Sequence, residues 1–175
     1  MSSKPNRFEP AEMPVYQEVQ RFRQKWLWAF LLLLFALFSS QFYRVFAHHR
    51  LIPRPLLLPL LANGAIPVLL LLLFWKARLE VRFDRGGLNY RFFPFQLRER
   101  SIRWEEVGKA YPRTYRPIME YGGWGIRTNW NGRNVAYNVS GDRGLQLELK
   151  NGRRVLFGTA RPDELAAALN SLGRF

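Results

Sequence analysis

Leu27-Trp28-Ala29-Phe30-Leu31-Leu32-Leu33-Leu34-Phe35-Ala36-Leu37-Phe38 is an unbroken apolar run near the start of the chain. It sits inside a longer stretch, Trp26 to Phe46, that carries no charge between Lys25 and Arg44. About 20 residues at a rise of 1.5 Å cross a hydrocarbon core of roughly 30 Å, so residues 26–47 are expected to form a transmembrane helix. Ser39, Ser40 and Gln41 are polar, but a serine hydroxyl can bond back to its own helix, and Gln41 lies near one end. Trp26 and Trp28 fit an interfacial aromatic belt. A cleaved signal peptide would be shorter, would begin earlier and would be followed by a small-residue cleavage site. The run is therefore expected to be retained.

A second uncharged stretch, residues 56–75, lies between Arg54 and Lys76. Pro59, Asn63, Gly64 and Pro67 interrupt it. In lipid such residues are tolerated where neighbours satisfy the freed backbone groups. The expectation is a second, kinked transmembrane helix. Asn63-Gly64-Ala65 should be its point of close approach to the first, because small residues let helices touch. Residues 48–55 form a short external loop between the two. His48 and His49, the only histidines, read as interfacial loop residues, since no acid accompanies them at a metal-ligand spacing.

Two spans and a short loop make an antiparallel hairpin with both termini on one side. Arg21, Arg23 and Lys25 precede the first span, and Lys76, Arg78, Arg82, Arg85 and Arg91 follow the second. The loop region carries only Arg44, Arg50 and Arg54. The positive-inside rule then places both termini in the cytoplasm.

Whole-chain averages conceal this organisation. The mean hydropathy of −0.21 would suit a soluble protein. The formal charge of +14 is uneven: residues 76–175 hold nineteen Lys/Arg and ten Asp/Glu. A basic balance points to phosphates, of nucleic acid or anionic lipid. For a domain tethered beside a bilayer, lipid is the expected partner and nucleic acid is not. With no cysteine in the sequence, disulfides, thiolate catalysis and cysteine-ligated metals are excluded.

Residues 1–25 form a cytoplasmic segment. Ser2 to Pro14 is polar and is expected to be extended or disordered. From Val15, Tyr16-Val19-Gln20-Arg23 suggests an amphipathic turn running into the first span.

After Lys76 the periodicity changes to two. Leu79, Val81 and Phe83 alternate with polar residues, Arg85-Gly86-Gly87 turns, and Leu88 to Phe92 alternates again, which predicts a hairpin that Pro94 ends. Arg100–Trp104 and Lys109–Tyr115 read as further strands, with a turn at Glu105-Glu106-Val107-Gly108. Tyr121-Gly122-Gly123-Trp124-Gly125-Ile126-Arg127 suggests a strand with a bulge or a close backbone approach. Asn131-Gly132 is a turn before a strand from Val135 to Val139. Leu145, Leu147 and Leu149 alternate up to Asn151-Gly152, and Arg153 to Gly158 returns as the partner strand. Pro162, Asp163 and Glu164 suit a helix start. Leu165, Ala168, Leu169 and Leu172 make its apolar stripe, and Gly173 ends it.

About seven short antiparallel strands and a C-terminal helix, an α+β arrangement, resemble the pleckstrin-homology (PH) superfold. The resemblance is to an uncharacterised bacterial family of two-span membrane proteins with a C-terminal PH-like domain. It rests on Tyr121 to Arg127, on Tyr137-Asn138-Val139-Ser140-Gly141, on Gly144 to Leu149 and on Gly158-Thr159-Ala160-Arg161-Pro162-Asp163-Glu164-Leu165. It covers residues 76–175 and implies a PH-like sandwich or barrel more than an activity. Eukaryotic PH domains grip phosphoinositides with basic residues flanking a long first hairpin loop. Here that loop is only Asp84-Arg85-Gly86-Gly87, so that function does not carry over.

The parts for catalysis are missing from the sequence. Ser140-Gly141-Asp142 has no histidine in the domain. Glu105 and Glu106, on a strand, would point to opposite faces. Gly122-Gly123-Trp124-Gly125 lacks the Gly-Lys-Ser/Thr of a phosphate loop. No enzyme activity and no cofactor are expected. If several of Arg113, Arg116, Arg127, Arg133, Arg143, Arg153 and Arg154 converge, they form an anion-binding patch. Candidate lipid-facing residues are Arg21, Arg23, Lys25, Lys76, Arg78, Arg153 and Arg154. Candidate partner-binding residues are Trp124, Arg127 and Trp130, since Trp and Arg dominate interface hot spots, with Asn63 and Gly64 in the second span. The leading expectation is a non-catalytic scaffold or interaction module at the cytoplasmic membrane face, touching anionic lipid and a protein partner or a second copy. The alternative is an accessory subunit of a larger membrane complex, with Asn63-Gly64 packed on foreign helices.

Overall fold

The computed structural model describes residues 14–48, 54–128 and 132–173. The expectations for Ser2 to Met13, for His49 to Pro53, for Trp130 and for Asn131 lie outside the described residues. The described residues divide into two compact units: a helical one, Arg21–Ala77, and a β-rich one made of the residues up to Gln20 and from Arg78 onward.

The helical unit holds α1 (Lys25–His48) and α2 (Arg54–Lys76). At 24 and 23 residues they extend about 36 and about 35 Å. Both are long and apolar enough to cross a membrane. Only 6% and 11% of their most apolar windows are buried within the described chain. The helix α2 runs on through Pro59 and Pro67. The close approach expected at Asn63-Gly64 is present and is made to the chain's own α1. A Cβ on Gly64 would stand 2.7 Å from Cζ of Phe42, and Asn63 Nδ2 donates to the Phe38 carbonyl at 3.4 Å. The Ser40 hydroxyl donates to the carbonyl of Leu37 at 2.7 Å, within its own helix.

The β-rich unit holds two sheets. The first has the order β1-β2-β3-β4: β1 (Tyr16–Arg21), β2 (Arg78–Phe83), β3 (Gly87–Phe93) and β4 (Arg100–Arg103). The second, β5-β8-β9-β7-β6, is formed by β5 (Val107–Thr114), β6 (Gly125–Thr128), β7 (Asn134–Asn138), β8 (Arg143–Leu149) and β9 (Arg154–Gly158). Two short helical turns, Trp104–Glu106 (3-10) and α3 (Pro117–Tyr121), and a C-terminal helix α4 (Pro162–Ser171) complete it.

Several sequence expectations need correction. Residues 16–21 form a strand, not a helical turn. In β1 the buried side chains are Tyr16, Glu18 and Gln20, while Val19, and Val15 just before the strand, are exposed. The apolar residues therefore face the wrong way for the pattern to be read. Among the described residues eight strands run from Arg78 onward, in keeping with about seven, but they are not all antiparallel: β7 and β9 pair in parallel, Val135 beside Val155 and Tyr137 beside Phe157. The expected turn at Glu105–Gly108 is a 3-10 turn that ends at Glu106, with β5 starting at Val107. The segment around Trp124 is a strand only from Gly125. Before it, α3 stops at Gly122, whose φ of 71° is left-handed.

The hairpins β2–β3 and β8–β9 form as the alternation requires, with Val81 opposite Tyr90 and Leu147 opposite Val155. Phe83, Leu88 and Phe92 of the first sheet and Leu145, Leu147 and Phe157 of the second are fully buried. Each such side chain contributes roughly 1.5–3 kcal/mol on leaving water. Tyr90 joins the sheets, 4.8 Å from the Tyr137 ring and 4.9 Å from Phe157. Leu165 and Leu169 bury one face of α4, as the stripe requires.

The strand β1 is fastened by a buried carboxylate. Glu18 Oε2 accepts from the Tyr16 hydroxyl at 2.6 Å and from Thr159 Oγ1 at 2.8 Å, and Oε1 accepts from the Ala160 backbone N–H at 2.9 Å. Gln20 Nε2 donates to the Gly158 carbonyl at 2.5 Å. Tyr16 stacks on Phe83 at 5.0 Å, and the Arg161 guanidinium lies over the Tyr16 ring, 5.3 Å from its centre. Burial, and then the Glu18 hydrogen bond, push the Tyr16 phenol well above its ordinary pKa. Glu18→Ala removes the shared acceptor of two buried hydroxyls and of the Ala160 N–H and is expected to cost roughly 2–4 kcal/mol. Thermal unfolding of the full chain in detergent should show a lowered Tm, with fast amide exchange confined first to β1. Unchanged exchange in residues 16–21 would contradict this role.

Candidate functional site

The strands β5, β8, β9 and β7 present one face to the first sheet and the other outward. The outward face carries Tyr111 and Arg113 of β5, Gln146 and Glu148 of β8, Arg154 and Leu156 of β9, and Asn134 and Ala136 of β7. The register sets Tyr111 beside Gln146, Glu148 beside Arg154, and Gln146 beside Leu156. Within this face Ala136 and Leu156 join Tyr115 in a buried apolar cluster, on which Tyr121 of α3 packs. A cavity of about 410 Å³ is left, lined by Tyr111, Arg113, Glu120, Tyr121, Asn134, Gln146 and Arg154.

Arg113 is the hub. Its Nε donates to Gln146 Oε1 at 3.0 Å, and its Nη2 donates to Glu120 Oε2 at 2.8 Å and to the Tyr121 hydroxyl at 3.3 Å. Gln146 is buried, and its own amide donates to the Leu147 and Val155 carbonyls. On the far side, the Tyr111 hydroxyl donates to Glu148 Oε1 at 3.1 Å, and Arg154 Nε lies 3.3 Å from the same oxygen. Deeper in, Asn138 Nδ2 donates to the Tyr115 hydroxyl at 3.0 Å and Asn138 Oδ1 accepts from the Gly125 N–H at 2.9 Å. That exchange fixes the start of β6.

The electrostatics follow from these pairs. The hydrogen bond from Arg113 holds the Glu120 carboxyl below the usual carboxylate range, against the opposing effect of its burial. Burial pushes the Tyr115 phenol up to about 12, with the Asn138 bond acting the other way. Burial also raises Tyr121, while Arg113 lowers it. Two guanidinium groups thus meet two carboxylates. The cavity suits a polar group of low net charge flanked by aromatic edges better than a bare anion.

Of the arginines expected to converge, Arg113 and Arg154 do so, and each brings a counter-charge. Trp124 donates from Nε1 to the Gly141 carbonyl at 3.0 Å, and Arg127 Nε donates to the Trp124 carbonyl at 3.1 Å. Gly122, Gly123 and Gly125, with φ of 71°, 120° and 114°, let the chain pass between α3 and β6 in conformations closed to other residues. Arg153 is exposed on the β8–β9 turn. Arg21 ends β1, Arg23 lies in the link that follows, and Lys25 opens α1. Lys76 ends α2, with its ammonium 5.1 Å over the Trp75 ring. Arg78 opens β2, bonded to Glu80 at 2.6 Å, and Glu80 also accepts from Arg91 at 2.7 Å.

Sequence reasoning left Glu120, Asn134 and Gln146 out of the site. Gln146 alternates with leucines and so reads as solvated. The usable signal was the polar residue at the centre of an otherwise buried strand.

Comparison with protein-family models, with curated proteins and with solved structures returns no match.

Replacing Glu120 by Gln removes the counter-charge of Arg113 and is expected to lower stability at neutral pH by about 1 kcal/mol. Because the folded-state pKa of Glu120 is depressed, its contribution is present above the unfolded-state value of about 4.3 and fades as pH falls through the folded value. The Tm difference between the parent and Glu120→Gln should therefore shrink on acidification. A difference that is constant down to pH 3 would refute the pairing.

Proposed function

We propose that the chain is a membrane-anchored, non-catalytic interaction module. In this reading α1 and α2 span a bacterial inner membrane as a hairpin, and the β-rich unit is a PH-like domain at the cytoplasmic face. Arg21, Arg23 and Lys25 on one link and Lys76 and Arg78 on the other meet anionic headgroups. The outward face around Arg113, with Trp124 and Arg127 beside it, receives a protein partner.

The observation that carries this is the insertion of the helical hairpin between two hydrogen-bonded neighbours, β1 and β2. A folded sheet cannot straddle a bilayer. If the helices span, the start of α1 and the end of α2 must lie on one side, which is what a two-span hairpin gives. The Lys/Arg distribution then favours the cytoplasm for that side. The non-catalytic part of the reading is supported by the commitment of the cavity's charged groups to one another: Arg113 to Glu120 and Gln146, and Arg154 and Tyr111 to Glu148.

The full chain, C-terminally tagged and expressed in a bacterial host, should stay with membranes through alkaline carbonate washing. Protease should remove the tag in inside-out vesicles and spare it in intact spheroplasts. Release by carbonate would remove the membrane reading. Cleavage in spheroplasts would reverse the orientation.

A further inference from the structure

The loop from β3 to β4, residues 94–99, has an inward and an outward side. Gln96 turns in. Its backbone N–H donates to the Phe92 carbonyl at 2.8 Å, its Oε1 accepts from the Phe92 N–H at 3.3 Å, and its Nε2 donates to the Tyr137 hydroxyl at 3.4 Å. Its two neighbours turn out. Phe95 is 60% exposed and Leu97 is 73% exposed, and Arg98 beside them is exposed too. At the loop's end Glu99 is held by Arg82 at 2.9 Å. The segment is thus pinned through its polar members, while two large apolar side chains are displayed with a cation at their flank. Single exposed leucines need no explanation. Two on a fastened loop of this composition do, because apolar tips with adjacent Arg fit the boundary between acyl chains and phosphates.

The register says which end of the sheet the loop occupies. Phe93, the last residue of β3, pairs with Arg78, the first residue of β2. Arg78 follows Lys76, the end of α2, with one residue between. The loop therefore leaves the sheet at the end where the chain arrives from α2. The β2–β3 turn at Arg85 is at the other end, about 17 Å along the strand.

We propose that Phe95 and Leu97 insert into the lipid surface, with Arg98 on anionic headgroups, as a third membrane contact beyond the two helices. This rests on the membrane reading of α1 and α2. It makes β3–β4 a lipid-contacting loop.

The test uses the full chain, whose lack of cysteine allows single labelling sites. Leu97→Cys, Arg85→Cys and Leu69→Cys are each labelled with an environment-sensitive fluorophore and reconstituted in vesicles of phosphatidylcholine and phosphatidylglycerol. Acyl chains carrying nitroxide near the headgroup or deep in the bilayer act as quenchers. Leu69, an exposed side chain on α2, reports the span. The expected result is quenching at Leu97 by the shallow nitroxide, deep quenching at Leu69 and none at Arg85. In the Leu97→Cys background, Phe95→Ser should reduce the shallow quenching without altering that at Leu69. Quenching at Leu69 with a Leu97 label as wet as Arg85 overturns the loop inference and leaves the span. No quenching at either site overturns both. A blue-shifted Leu97 label that no nitroxide reaches means a protein, such as a second copy, covers the loop, and this too overturns the lipid contact.

Discussion

Three donors converge on the carboxylate of Glu18: the Tyr16 hydroxyl, the Thr159 hydroxyl and the Ala160 backbone N–H. A carboxylate this deep is tolerable only because its oxygens are satisfied. The contact joins β1, which lies before the helices, to the segment between β9 and α4, which lies some 140 residues later. With Gln20 on Gly158 and Tyr16 on Phe83, it closes the β-rich unit from both ends of the sequence. The remaining organisation depends on that closure. Once β1 and β2 share a sheet, the helical segment between them is a loop of that sheet, and its two ends leave from neighbouring strands. Membrane topology in this reading is a consequence of strand pairing as much as of charge.

The outward face of the second sheet illustrates how a basic composition can be misleading at close range. The unit has a large surplus of arginine, yet the two arginines brought into the cavity are matched by Glu120 and Glu148. Desolvation makes an unmatched pair of guanidinium groups costly at such a place. The excess positive charge is left on exposed turns such as Arg153 and on the links beside the helices. Charge left on exposed turns and charge that shapes a cavity are therefore separate populations.

Much of the fold was legible because its signals are local. Residues 26–46 and 56–75 need only length and the absence of charge. The β2–β3 and β8–β9 hairpins need only alternation and a glycine turn, and α4 needs only Pro162, two acids and a stripe of leucines. The site was less legible. Arg113 and Arg154 could be named as candidates, but nothing near either residue in sequence points to Glu120 or Gln146. Asn63-Gly64 could be named as a contact point, because small residues suit any close partner. The expected partner, the first helix, supplies the contact through Phe42 and Phe38.

By itself the sequence determined two apolar helices, a following β-rich unit with an amphipathic helix at its end, and the absence of thiol chemistry. These depend on composition and on periods of 2 and 3.6, which each segment carries alone. Only the tertiary structure decided that residues 16–21 are a strand. Its buried members are Tyr16, Glu18 and Gln20, and their burial makes sense only when Thr159, Gly158 and Ala160 are present to satisfy them. The same holds for the parallel pairing of β7 with β9. Partners distant in the chain set these contacts, and no local pattern records them.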